Sequence, residues 1–377
     1  MERRRFVKSS ALAATCAALA PGVSEAKKRD PRKMRDKIVG TYKEPEITSP
    51  VWLCDDSGNL NPDAVGWSRT PVHRFNLKGN FARKKRWHYW NVTTDSFLFS
   101  FTVSDADIAG VNFAYFLDYN TKELLEKQVV TPFGRGVVLP NAVEGSAAFE
   151  HRAMPFTLNH KGKFIEVHFS CPKLGSKPVE AELVIHKPEN HETLSVVIPW
   201  TSERFQYTSK HNTLPTEGVV KVDGKSFVFD KSKSWATLDF GRGVWPYNTA
   251  WNWGTFSGAQ DGDVIGINIG GKWTDGTGTN ENGICHNGKL YKISEDLLWE
   301  YNIRDFMEPW RIKTQYSDML DLTFTPFYDK YGKTNVGVIK TEVHQCFGHY
   351  KGAMRFDGKT VEVKNLMGWA EEHIARW

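Results

Sequence analysis

The stretch that decides the reading of this 377-residue chain is GRGVWPYNTAWNWGTFSGAQDGDVIGINIGG, Gly241 to Gly271. Trp245, Tyr247, Trp251 and Trp253 stand among small and amide residues, and the stretch then alternates at Ile265, Ile267 and Ile269. Alternation with period two places one side of a strand on a core. Rings beside amides suit a ligand-facing wall, because rings supply apolar area and amides fix orientation. Plain core packing of the tryptophans accounts for the same residues.

The same alternation recurs outward from this stretch. Trp87-His88-Tyr89-Trp90 precedes Phe97, Phe99, Phe101 and Val103, and Val111, Phe113, Tyr115 and Leu117 follow in the same rhythm. In these strands the opposite face is partly apolar too. Hairpin signals stand at Lys161-Gly162, Asp223-Gly224, Asn287-Gly288 and Asp357-Gly358, each between alternating runs. Asn-Gly and Asp-Gly tolerate the positive φ that tight hairpins require. No sustained βαβ pattern appears, which argues against a doubly wound fold. The expectation is an all-β chain. Helical spacing is confined to Leu366, Trp369, Ala370, His373, Ile374 and Trp377, which predicts a short C-terminal helix, and to a single turn near Glu295–Trp299. The echo of WHYW (87–90) in WNWG (251–254) suggests two related β units, 46–212 and 213–377.

Residues 1–26 read as a twin-arginine export signal: RRRFVK, then an apolar run from Ala11 to Val23, then Ser24-Glu25-Ala26 at the cleavage end. A basic arm, 27–45, follows. Residues 1–37 carry 11 Lys/Arg and 4 Asp/Glu, a net +7 against a total of +5, which leaves residues 38–377 at −2. The body therefore lacks the charge expected of a nucleic-acid binder. No later apolar run is long enough to span a bilayer, so no stable membrane insertion is expected once the signal is removed. Export predicts a periplasmic protein. Cys54, Cys171, Cys285 and Cys346 remain after cleavage, as buried thiols or with one disulfide whose pairing spacing does not fix.

Motifs for established chemistries are absent. The glycine-rich run 270–283 has neither a phosphate-loop nor a dinucleotide spacing. His344 and His349 lack a second ligand pair, so no metal and no cofactor are expected. Glu281 lies in that loop, where burial would raise its carboxyl and make it a proton donor near neutrality; an exposed loop carboxylate is the plainer reading. Asp239, Asp275, Glu281, Asp321 and Glu371 are the carboxylates available for paired acid–base work.

RWHYWNVTTDSFLFSFTVSD, GRGVWPYNTAWNWGTFSG, GTNENGICHNGKLYKI and DGKTVEVKNLMGWAEEHIARW, in this order, resemble the bacterial domain-of-unknown-function 2804 family. More distantly, WHYW and WNWG look like the two lipocalin-like halves of carotenoid 1,2-hydratase relatives. That resemblance implies two consecutive lipocalin-like β-barrel or sandwich units whose facing ends form an apolar pocket. In those relatives acidic and histidine residues precede the Trp-Gly element, whereas here the positions hold Tyr247, Asn248, Thr249, Ala250 and Asn252. The expected activity is a lyase, hydratase or isomerase on an apolar unsaturated small molecule. Trp245, Trp251 and Trp253 would line its pocket, Tyr247, Asn248 and Asn252 would orient the ligand, and Glu281 or His286 would move the proton. A non-catalytic carrier of lipid or pigment is the alternative, and carbohydrate processing a third.

Overall fold

The computed structural model describes residues 43–336 and 339–376. The export signal and most of the basic arm lie outside them. Among the described residues the regular structure is all strand apart from one short 3-10 turn at Pro62–Ala64.

The first unit is a 14-stranded sheet. Its strands used below are β1 (Lys84–Thr93), β2 (Phe97–Asp105), β3 (Ala109–Asp118), β4 (Leu124–Pro132), β5 (Phe164–Leu174), β6 (Lys177–His186), β7 (Phe205–Val222) and β8 (Trp235–Val244). They run β4-β3-β2-β1-β8-β7-β6-β5 across the sheet. The second unit has nine strands, among them β9 (Asn248–Gln260), β10 (Asp263–Gly271), β11 (Gly283–His286), β12 (Leu320–Val336), β13 (Ile339–Phe356) and β14 (Lys359–Arg376), in the order β11-β10-β9-β14-β13-β12. The sheets change over between Val244 and Asn248, so the joint that the sequence suggested near 212 falls inside β7.

Both sheets curl. Phe99 of β2 meets Phe169 of β5 with ring centroids 5.0 Å apart, although four strands lie between β2 and β5 in the ladder. In the second unit His286 of β11 reaches Phe356 of β13 at 5.3 Å. Curling encloses an apolar core in each unit, and each fully buried Phe or Ile contributes about 1.5–3 kcal/mol.

A third core joins the units. Tyr89, Leu98, Tyr115 and Leu117 of the first sheet pack on Trp253, Phe347, Met367 and Trp369 of the second. Strands β1 and β2 are thus covered on both faces, which is why their sequence is apolar on both. In WHYW, His88 and Trp90 turn into the first unit while Trp87 and Tyr89 turn toward the second.

Three hairpins form as their sequences require, with positive φ at Asp223-Gly224, Asn287-Gly288 and Asp357-Gly358; at the fourth, Gly162 alone takes it. Cys54, Cys171, Cys285 and Cys346 are buried and unbridged. Two helical expectations are corrected. The C-terminal segment is strand β14, paired to β13 from end to end and to β9 over Gly368–Arg376, and Leu297–Glu300 is a strand as well. Strand β14 lies between the second core and the inter-unit core, so both faces carry apolar residues and the period-two signal is lost.

Candidate functional site

Two transverse rows of side chains face each other between the units. In the first sheet Lys210 (β7) stands beside Asp239 (β8), and Asp239 beside Tyr89 (β1). In the second, Gly270 (β10), Trp253 (β9), Glu371 (β14) and Gln345 (β13) are successive cross-strand neighbours. Alternation sends Trp251 and Trp253 to this interface and Asn252 to the other face. Tyr89 meets Trp253 edge-on at 5.7 Å.

The charges converge on Lys210. Its Nζ lies 2.9 Å from Asp239 Oδ1 and 3.0 Å from Glu281 Oε2, and 4.5 Å over the Trp253 ring. Glu281 is buried, and its Oε1 accepts 2.8 Å from Trp273 Nε1. A glycine must stand at 270, because a Cβ there would come within 2.2 Å of that same oxygen. Amides hold the loop to the strand. Asn268 donates to the Glu281 carbonyl at 2.7 Å, and Asn282 accepts from the Gly270 N–H at 2.7 Å.

Glu371 completes the cluster. Trp251 Nε1 donates to its Oε1 at 2.7 Å and Gln345 Nε2 to its Oε2 at 3.1 Å. Gln345 Oε1 in turn accepts from Tyr115 OH at 2.9 Å, and Tyr115 shares a 2.7 Å bond with Tyr89. Burial pushes the Glu371 carboxyl up to about 7; Asp239 and Glu281 push the same way, against the Trp251 N–H and Lys210. Burial also raises Glu281, against Lys210. Lys210 itself is held above its ordinary value, since the two carboxylates outweigh its own desolvation. One carboxyl therefore exchanges its proton near neutrality inside a wall of rings, beside an ammonium that stays charged. That is the equipment of general acid–base catalysis. His373 lies against Trp251, centroids 3.9 Å apart, and burial lowers its imidazole to about 3, so it is a neutral wall at pH 7.

Trp245 is the hub of a tryptophan cluster. It touches Trp87 at 5.8 Å, Trp200 at 5.1 Å and Trp251 at 5.9 Å, and stacks on Trp273 at 5.7 Å. Trp87, Trp200 and Trp251 are partly exposed, whereas Trp273 and Glu281 are buried, so the rings lead from the surface to the carboxylates.

The structure thus brings Glu281, Trp251, Trp253 and Trp245 together. It places the other sequence-selected residues elsewhere. His286 pairs with Asp263 at 3.2 Å on the far part of the second sheet. Tyr247 lies between the Arg83 and Arg376 guanidinium groups, and Asn248 is exposed beside it. Asn252 points to the second core, donating to Tyr301 OH at 3.0 Å and to the Glu371 carbonyl at 3.2 Å. Of the five carboxylates named for paired work, Asp239, Glu281 and Glu371 meet. Asp321 instead faces Arg311 at the surface. Lys210, Gln345, Tyr89 and Tyr115 carried no sequence signal as site residues, since only the pairing of distant strands assembles them. Among the described residues no three His, Cys, Asp or Glu side chains group to hold a metal ion, and Lys210 fills the cation position between Asp239 and Glu281.

No curated protein matches the sequence. Among solved structures, kievitone hydratase from Nectria haematococca is similar at 13% identity over 78% of this chain and 88% of its own, with a TM-score of 0.43. An AttH from Nitrosomonas europaea matches at 10% identity over 79% and 94%, TM-score 0.44. CghA matches at 10% identity over 88% and 94%, TM-score 0.46. The sequence profile of one family covers residues 44–377, and the chain belongs to that family, described as Domain of unknown function (DUF2804).

Proposed function

We propose that the protein is an acid–base enzyme of the lyase, hydratase or isomerase type, acting on an apolar unsaturated small molecule between its two β units. The observation that carries this reading is the placement of Glu371, Glu281 and Asp239 around Lys210 at the end of a tryptophan-lined approach. Glu371 is the proton donor and acceptor, because its carboxyl changes state near neutrality. Lys210 with Glu281 and Asp239 fixes the field around it, and Trp251 and Trp253 supply the apolar faces. The acid absent from the stretch 245–254 is supplied across the ladder, since Glu371 is the strand neighbour of Trp253.

The leader extends the reading to an exported enzyme, and fusing residues 1–26 to a reporter tests it. For the activity, small molecules are extracted from protein purified from its own compartment, identified by mass spectrometry and returned to fresh enzyme. A product with wild type that Glu371→Gln fails to make supports the proposal. A ligand that returns chemically unchanged favours a carrier.

A further inference from the structure

The loop that carries Glu281 is gripped by a residue from the start of the described chain. Glu44 and Lys292 form an ion pair at 2.7 Å whose side chains are 0% and 4% exposed. Lys292 ends the short strand Lys289–Lys292, which pairs with β11. Its ammonium has three N–H groups, and three acceptors meet them: Glu44 Oε1 at 2.7 Å, Asn280 Oδ1 at 2.7 Å and Ile293 O at 2.8 Å. The other carboxylate oxygen of Glu44 accepts from the Asn280 N–H at 3.2 Å. Asn280 Oδ1 also accepts from the Asn282 N–H at 2.9 Å, and both asparagines donate through Nδ2 to Glu295 O at 3.1 Å. Asn280, Glu281 and Asn282 are all buried.

The segment that holds Glu44 is itself tied to both units. The Glu44 N–H donates to Ser294 Oγ at 3.3 Å in the second unit, and the Glu44 carbonyl accepts from Trp67 Nε1 at 3.2 Å. Trp67 shares backbone bonds with Pro45 and Ile47 and pairs with Val196 of the first sheet. Apolar side chains of similar volume often replace a buried ion pair at no loss of stability, so stability alone does not account for this one. A buried network whose donors are all met fixes position instead. The atoms fixed here belong to Asn280 and Asn282, the two chain neighbours of Glu281.

We propose that Glu44 and Lys292 are positioning residues of the site between the units, clamping Asn280 so that Glu281 stays on Lys210 and Trp273. The proposal rests on the acid–base reading of that site and makes the segment 44–47 a part of it. Both residues act through Asn280 rather than on the reacting atoms. Releasing Glu281 removes a charge that raises the Glu371 carboxyl and leaves Lys210, which lowers it, less neutralised. Glu371 then titrates lower, and the Trp273 indole N–H loses its acceptor.

Two NMR signals of the full chain, free of any substrate, test the proposal: the Trp273 indole N–H, assigned with Trp273→Phe, and the titration of carbon-labelled Glu371. In Glu44→Leu/Lys292→Met the indole signal should move to its position in Glu281→Ala, and Glu371 should titrate lower by about half a unit or more, as for a lost neighbouring charge. Ile312→Val, which loosens the second core away from the clamp, should leave both signals in place. Thermal melts establish that each variant folds. Lys292→Gln, too short to reach Glu44 and Asn280 together, should shift both signals the same way and decides the matter if the double variant does not fold. Wild-type signals in the folded clamp variant, or equal shifts in Ile312→Val, overturn the proposal. Because neither signal needs turnover, that failure is distinct from failure of the acid–base reading, which the Glu371→Gln turnover tests.

Discussion

Replacing Glu371 with glutamine should remove a pH dependence of stability whose size follows from the site. In the folded protein this carboxyl titrates at about 7 against an ordinary 4.5. A raised carboxyl means that the native state keeps a proton which the unfolded chain has released. Its contribution is therefore complete below 4.5 and is lost as pH rises through 7, a change on the order of 3 kcal/mol. Glutamine keeps the shape and has no proton to lose. Relative to wild type, Glu371→Gln should gain that amount between pH 4.5 and pH 8, read from urea unfolding at constant ionic strength. Buried neutral histidines, His88, His211 and His373, act with the opposite sign, since their lowered values favour the native state as pH rises. They are present in both proteins and cancel in the difference. A difference flat to within about 0.5 kcal/mol, the scatter of an ordinary surface change, would refute the buried-acid assignment.

Further expectations follow from the same cluster. Lys210→Met leaves Asp239 and Glu281 without their cation and should cost about 3–5 kcal/mol of unfolding free energy at pH 8, part of which returns in Lys210→Met/Glu281→Gln. Gly270→Ala forces a Cβ to 2.2 Å from Glu281 Oε1 and should cost about 1–3 kcal/mol in denaturant unfolding, less when Glu281 is shortened to Asp. Trp251→Phe removes a donor that favours the ionised form of Glu371, so carbon NMR of labelled glutamate should show its titration moving above 7.

Much of the architecture was legible because strands and tight turns write local signals. The Asp-Gly and Asn-Gly hairpins and the alternation in 97–117 depend on neighbours a few residues away, and they formed as read. The C-terminus was misread because β14 is buried on both faces, so Leu366, Trp369, Ala370 and His373 fall at steps that imitate a helix. The site was legible only in part. Trp251, Trp253 and Glu281 stood out by type and by the loop that carries them, and Asp239 and Glu371 could be named only as carboxylates. Their meeting depends on ladder registers that join positions far apart in the chain, such as Trp253 with Glu371, and on the packing of one sheet on the other. Lys210 lies in an unremarkable polar run, and nothing short of the fold reveals that two acids surround it.

The central claim is that Glu371, at the seam between the units, transfers protons to carbon. Its most direct test is to incubate wild type and Glu371→Gln in deuterium oxide with the small molecule recovered from the native protein, following isotope uptake at carbon by mass spectrometry. Uptake by wild type with loss of about a hundredfold or more in the variant is the predicted result, in line with removal of a general acid. Uptake that is equal in the two proteins, or absent from wild type, would contradict it.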